Sequence, residues 1–137
     1  MKEIDKIQDA MWLQAFSQVR DKANPIIHKI NEYEAKGSPE ERLIAFSEAF
    51  EKLPAILKAM KQTPKPKDRK LRRFKMLEEH GLGAYIKACE CGIKLLKEPS
   101  PTGTASRIRY AAMMFQISQA TSYFDLANEN IASFSEE

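Results

Sequence analysis

Apolar side chains recur every three or four positions along most of this 137-residue chain, which is the spacing of one helix face. The clearest stripe follows the segment Gly37–Glu41 and consists of Leu43, Phe46, Phe50, Leu53, Leu57 and Met60. The glycine of that segment is suited to end one helix, and its serine and second glutamate can begin the next as a capping box. The pattern predicts a helix over 39–62 that faces a bundle core. Pro54 within it predicts a kink, or a stop near Lys52.

A proline junction precedes that helix, and a link that contains two prolines follows it. Upstream, a first apolar stripe consists of Ile4, Ile7, Met11, Ala15 and Val19. Asn24-Pro25 then offers a good N-cap residue followed by a residue suited to the first helical turn, so two helices are expected to meet there. Downstream, the segment Thr63–Lys67 contains two prolines and is predicted to be an extended link.

A third periodic region follows the link, and glycines interrupt it. His80-Gly81 has the character of a helix end with its capping glycine, which predicts a basic first helix and an apolar second one. A loop at Glu98–Gly103 precedes the last helix, which Thr102 or Thr104 can cap. The predicted helices span about 3–23, 25–36, 39–62, 67–80, 83–97 and 104–134.

Composition supports a helical protein. Valine occurs once and threonine four times, whereas alanine occurs sixteen times and lysine fifteen times. Because β-branched residues favour strands and alanine and lysine favour helices, a sheet protein is excluded. We predict an all-α fold, a single-domain helical bundle over 1–137 with four to five main helices, some of them kinked at Pro or Gly.

The sequence also bears on compartment and membrane association. Its longest charge-free run, Tyr110–Phe124, has fifteen residues, whereas a membrane span needs about twenty. The first residues lack the features of a signal peptide. Cys89 and Cys91 would point about 200° apart on a helix, so they are expected to stay reduced. These observations predict a cytoplasmic protein with no membrane partner.

The residue types that hold metals or perform catalysis are few and dispersed. The histidines and cysteines are His28, His80, Cys89 and Cys91, and they lack the spacing of a zinc site or of a di-iron bundle. The sequence also lacks a nucleophile elbow, a phosphate loop and a dinucleotide-binding fingerprint. We therefore expect a non-enzymatic protein with no metal, no cofactor and no small-molecule substrate.

Charge is the strongest local signal. Segment 58–75 contains nine basic residues against Asp68 alone and carries +8, while the rest, with thirteen basic and eighteen acidic residues, carries −5. On a helix, Arg69 lies three and four residues before Arg72 and Arg73, so these like charges destabilise one another. A partner of opposite charge would relieve that repulsion.

Nucleic acid is the leading predicted partner, bound through its backbone and without sequence preference, because Phe74 and Tyr85 are too isolated to favour base stacking. The predicted contact residues are Lys65, Lys67, Arg69, Lys70, Arg72, Arg73 and Lys75. The alternatives are an acidic protein surface, including the acidic C-terminus of another copy, and simple solvation of a helix face.

The last predicted helix suggests a second kind of surface. It has no Lys or Arg after Arg109, so much of its surface is uncharged on every side. The preferred interpretation makes it the central helix of the bundle, and the alternative makes it the interface of a homo-oligomer or an adaptor protein. The predicted interface residues are Met114, Phe115, Ile117, Tyr123 and Phe124.

Two short segments carry a resemblance. Glu79–Gly83 and Ser106–Arg109, within a small all-helical chain that has a basic helix, are similar in general style to the small subunits of CRISPR effector complexes. The resemblance implies a protein that helps to hold nucleic acid, which agrees with the leading hypothesis.

Overall fold

The computed structural model describes residues 2–98 and 103–135, and in these two ranges it contains five helices and no strand. The helices are α1 (Glu3–Asp21), α2 (Asn24–Lys36), α3 (Pro39–Gln62), α4 (Arg69–Leu96) and α5 (Thr104–Ser135). The predicted all-α helical bundle is therefore confirmed. None of the described helices is long and apolar enough to cross a membrane.

Helix α4 is the centre of the bundle. It packs against α1, α3 and α5, and its interface with α5 is the most extensive between any two described helices. Its buried residues cover about half of its circumference, because they spread over roughly 180° at 100° per residue. Helix α5 packs against α4 alone within the described part of the chain, so the preferred interpretation of α5 as the central helix is wrong.

The predicted break at His80-Gly81 is absent, and α4 continues through it as one helix. Gly81 is buried because the ring of Phe124 packs directly over it, and a Cβ atom there would lie 2.7 Å from Phe124 Cε1. The ring of Phe46 packs over Gly92 in the same way. These glycines allow close helix packing, whereas a capping glycine would have left the helical conformation.

Helix α1 turns a different face to the core from the one predicted. Its buried apolar residues are Trp12 and Phe16, whose rings stack 4.8 Å apart, and Phe16 meets Phe74 of α4 edge to face at 5.7 Å. The exposed side carries Ile4, Ile7 and Met11. Aromatic rings bury more apolar surface than aliphatic side chains, so the aromatic face is the one that packs.

The helix boundaries on either side of α2 follow the sequence closely. Helices α1 and α2 meet at Lys22-Ala23, next to the predicted junction. The capping box at the start of α3 is confirmed, because Ser38 Oγ accepts a hydrogen bond from the Glu41 N–H at 3.2 Å and Glu41 Oε1 accepts one from the Ser38 N–H at 3.1 Å. Helix α3 then runs unbroken through Pro54, so a stop near Lys52 is wrong.

Helices α4 and α5 form an antiparallel pair with a closely packed seam. The buried residues of α5 recur every seven positions and most are small: Ser106, Met113, Ala120 and Ala127. The pair is joined near its ends by contacts of Asn130 Nδ2 with the Lys70 carbonyl oxygen and of Arg109 with Glu98. Most of the predicted loop between them, with Thr102, lies outside the described residues.

Candidate nucleic-acid interface

The basic segment starts in a link that α1 holds in place. The buried carboxylate of Asp9 accepts hydrogen bonds from the backbone N–H groups of Lys67 and Asp68, each at 2.8 Å. Asp68 in turn caps α4 by accepting a hydrogen bond from the Lys70 N–H at 2.7 Å. These contacts fix the start of α4 at Arg69, two residues after the predicted start.

Five of the seven predicted contact residues are exposed, and they are Lys65, Lys67, Arg69, Arg72 and Arg73. The three arginines lie on the side of α4 opposite the buried Leu71 and Phe74, as predicted. Lys70 is half-buried. Lys75 is buried, and its ammonium group binds the Glu79 carboxylate one turn away, so Lys75 does not belong to the exposed set.

The exposed arginines border an open depression of about 510 Å³ between the start of α4 and the end of α5. Its lining residues are Arg69, Lys70, Arg72, Arg73, Met76 and Asn130. Within the described ranges, no carboxylate lines this depression and none lies within ion-pair distance of the three arginines. The repulsion expected among them is therefore not offset by any described residue.

Because α4 is continuous, the basic face extends well beyond the predicted segment. Arg73, His80, Lys87 and Lys94 are exposed and lie seven residues apart, which places them on one helix face at intervals of about 10.5 Å. The last of these, Lys94, pairs with Glu90 at 3.2 Å. The seven-residue spacing is visible in the sequence, but the predicted break at His80-Gly81 assigned these residues to two separate helices.

The middle of this face, with His80 and Lys87, belongs to the floor of a groove of about 810 Å³ between α3 and α5, which we call the α3–α5 groove. The α3 wall consists of Pro54, Leu57, Lys58, Lys61 and Gln62. The floor consists of Glu79, His80, Gly83, Ala84, Ile86 and Lys87, and the α5 wall of Gln116, Gln119 and Tyr123. Each helix contributes about 12 Å of its length to the groove.

The α3–α5 groove is rich in positive charge. Lys58, Lys61 and Lys87 line it with His80, and the one carboxylate among its lining residues, that of Glu79, is bound by Lys75. Lys58 and Lys61 belong to the basic segment 58–75 but were not among the predicted contact residues. Only the folded structure brings α3 beside α4. The cations of two helices thus face one cleft.

The five predicted interface residues of α5 have three different environments. Met114 and Phe115 are exposed, whereas Ile117 and Phe124 pack against the core. Tyr123 also packs against the core and in addition lies in a groove wall, where its ring centroid is 5.5 Å from that of His80. Three further exposed large apolar residues of α5 were not among the predicted interface residues: Ile108, Tyr110 and Leu126.

A smaller cavity of about 290 Å³ lies on the opposite side of α4. It is lined by Arg20, Ala23, Asn24, Ile27, Met60, Glu78, Leu82, Phe124 and Asn128. Burial raises the pKa of Glu78 from its ordinary value of 4.5 to about 7, and Arg20 at 3.6 Å opposes that rise. Glu78 therefore lies buried within α4, whereas the predicted break at His80-Gly81 would have placed it near a helix end.

The histidines and cysteines occupy different environments in the described structure. Burial raises the pKa of the Cys89 thiol to about 12, so this thiol is a poor nucleophile near neutral pH. His28 is exposed on α2, and the His80 ring contacts Tyr123. The described residues contain no group of three or more His, Cys, Asp and Glu that could hold a metal ion.

Comparison of this chain with protein-family models, with curated proteins and with solved structures finds no match. The resemblance to small subunits of CRISPR effector complexes therefore gains no support from these comparisons.

Proposed function

We propose that this protein binds nucleic acid through the exposed side of α4 and contacts the sugar-phosphate backbone without sequence preference. The observation that carries the proposal is a row of exposed basic side chains on one continuous helix, which we call the α4 cationic face: Arg69, Arg72, Arg73, His80 and Lys87. Its C-terminal part is the floor of the α3–α5 groove, where Lys58 and Lys61 add charge. Phosphates along a polymer suit such an extended array.

The arginines favour phosphate as the partner over simple solvation. Arg69, Arg72 and Arg73 face one another without a neutralising carboxylate among the described residues. An arginine can bind a phosphate through two parallel hydrogen bonds. Hydration of the guanidinium group alone does not provide an equivalent contact. An acidic protein surface is the competing partner, and direct binding assays separate the two.

The proposal places this activity in a reducing compartment, the cytoplasm. Cys89 and Cys91 are both free thiols, and Cys89 is buried. Free thiols persist in the reducing cytosol, whereas oxidising compartments favour disulfides.

The first experiment is a titration of the protein into a labelled oligonucleotide at two salt concentrations. Phosphate contacts release counterions, so the logarithm of the association constant should fall linearly with the logarithm of the salt concentration. Both a single strand and a duplex are titrated, at about 50 mM and about 200 mM salt. Absence of binding to either at the lower concentration contradicts the proposal.

A charge-reversal variant locates the binding surface. Replacing Arg69, Arg72 and Arg73 with Glu should weaken binding more than about tenfold and make the salt dependence shallower. The matched control has the same net charge and replaces three exposed lysines elsewhere with Glu, namely Lys6, Lys22 and Lys36. Equal losses in the two variants would mean that net charge, rather than the α4 cationic face, drives binding.

A second candidate function is self-association through the side of α5 that faces away from α4. Ile108 and Phe115 are 65% and 59% exposed, and with Ala111 and Ala112 they form one apolar stripe. Stripes of this kind mark interaction surfaces. Light scattering should then give a dimer that Phe115→Lys converts to a monomer of unchanged stability, and a strict monomer at high concentration contradicts this function.

A further inference from the structure

We infer that the α3–α5 groove holds one strand of nucleic acid, with the phosphates along the α3 wall and the bases against the α5 wall. The inference rests on the proposed function and specifies which form of nucleic acid is bound and in which orientation. Its basis is the shape of the groove and the different chemistry of its two walls.

The width of the groove favours a single strand. Helices α3 and α5 both pack on α4, and packed helix axes lie roughly 8–10 Å apart, so the axes of α3 and α5 are at most about 20 Å apart. Each helix with its side chains is about 10–12 Å across, which leaves a clear width of about 10 Å or less between them. A duplex, with a backbone on either side of its paired bases, is too wide for that space.

The two walls differ in the groups that they present. On the α3 wall, Lys58 and Lys61 lie three residues apart and provide ammonium groups for phosphates. On the α5 wall, Gln116 and Gln119 provide amides that can pair with base edges, and Tyr123 provides a ring on which a base can stack. Because α5 is uncharged from position 110 to 124, that wall has no cation to attract the backbone.

The floor of the groove leaves room for the strand. Gly83 is half-buried there, and a Cβ atom built on it would meet only Leu57 Cδ2, at 4.0 Å. The space above this glycine is therefore open, in contrast to that above Gly81, which Phe124 fills. A long side chain at position 83 would occupy the volume that we assign to the nucleic acid.

The first test compares a single strand with a duplex of the same sequence at one salt concentration. We expect the single strand to bind at least about tenfold more tightly, because only it can enter the groove and stack on Tyr123. Equal affinity, or tighter binding of the duplex, overturns this inference and leaves the proposed function standing. Absence of binding to both overturns the proposed function as well.

The second test fills the groove without disturbing the fold. Gly83→Leu replaces a poor helix former with a good one, so its melting temperature should rise. Its affinity for the single strand should nevertheless fall at least about tenfold, since the side chain excludes the strand from the groove. The control Gly83→Ala should melt higher and keep its affinity. A stable Gly83→Leu protein with unchanged affinity overturns the inference.

The third test determines the orientation of the strand. Replacing Lys58 and Lys61 with Gln should reduce the slope of the salt dependence by about 1.4, at about 0.7 for each phosphate contact of a single strand. Tyr123→Leu should weaken binding about tenfold and leave that slope unchanged, because a stacking contact releases no counterion. A changed slope for Tyr123→Leu, or an unchanged slope for the lysine variant, means that the assigned orientation is wrong.

Discussion

Helices α4 and α5 are the two longest of the described helices, and they occupy opposite positions in the bundle, one at its centre and the other at its edge. Helix α5 has the fewer charges, yet it lies at the edge of the bundle against α4 alone. Helix α4 carries many charges, yet it is central, because its apolar residues occupy one continuous half of its circumference. The arrangement of apolar residues around a helix, rather than their number, decides its place in the bundle.

The exposed sides of the two helices also differ in chemistry. In α4, burial of one half leaves five of the seven Lys and Arg residues on the other half, while Lys75 is buried and Lys70 half-buried, and neighbouring helices pack on the buried side. In α5, apolar residues remain on the outer side, with Phe115 as the largest exposed example. Helix α4 thus presents an exposed basic surface and α5 an exposed apolar one.

The largest expected effect separates the two sides of α5. Phe124→Lys should lower the free energy of unfolding by about 4 kcal/mol, because it removes the ring packed on Gly81 and places a charge in the seam. Phe115→Lys should change it by less than about 0.5 kcal/mol, since that side chain is exposed. Urea unfolding followed by Trp12 fluorescence measures both. Similar losses in the two variants would mean that α5 is buried on both sides.

The next effect concerns the buried side of α4 and depends on pH. The pKa of Glu78 is about 7 in the folded protein and near 4.5 when unfolded, so the folded state binds the proton more tightly. Stability should therefore fall as the pH rises from about 4.5 to 7 and stay low above that. Glu78→Gln removes this loss and should be more stable than the wild type by about 3 kcal/mol at pH 8.

The control for this pH dependence is Glu51→Gln, an exposed change on α3 that should leave the pH profile of stability unchanged. At pH 4 the wild type and Glu78→Gln should be nearly equal in stability, since Glu78 is then protonated in both the folded and the unfolded state. A stability difference that does not vary with pH would show that Glu78 is not buried as the structure has it.

A smaller effect tests the anchoring of α4 at its start. Asp9→Ala should cost about 2 kcal/mol, because it leaves the N–H groups of Lys67 and Asp68 without their acceptor. Hydrogen exchange at these two amides should accelerate in the variant, while exchange at the middle of α4 follows global unfolding. The control Asp5→Ala removes a carboxylate one turn earlier in α1. Unchanged exchange at both amides in Asp9→Ala would contradict the anchoring of this link by Asp9.

The smallest effects have opposite signs at two neighbouring glycines of α4. Gly81→Ala should destabilise the protein by about 1–2 kcal/mol, because the added methyl group meets the Phe124 ring. Gly83→Ala should stabilise it by about 0.8 kcal/mol, since its surroundings are open and alanine is the better helix former. Thermal melts of both variants measure the difference. Stabilisation at both positions would mean that the α4–α5 seam is looser than described, and destabilisation at both would mean that the space around Gly83 is not open.

Local sequence signals predicted the helices well where their causes are local. The capping box of Ser38 and Glu41 is made within four residues, so the sequence alone specifies it. The orientation of the arginines opposite Leu71 and Phe74 likewise follows from helix geometry alone. The all-α fold was predictable for the same reason.

The errors occurred where a distant residue decides the outcome. Gly81 signals a helix end in the sequence, but Phe124, forty-three positions further along, makes it a packing residue. Helix α1 has two possible apolar faces, and the aromatic Phe74 of α4 decides which one is buried. The α3–α5 groove has no sequence signal of its own, because it exists only where two helices flank a third.

Binding of nucleic acid on the exposed side of α4 is best tested by mapping the lysines that a bound single strand protects from acetylation. We expect protection of Lys58, Lys61 and Lys87, which line the groove. We expect no protection of three exposed lysines that lie far from α4 in the sequence: Lys6, Lys22 and Lys36. Protection of this second group, or equal protection of both groups, would mean that the strand does not bind at α4.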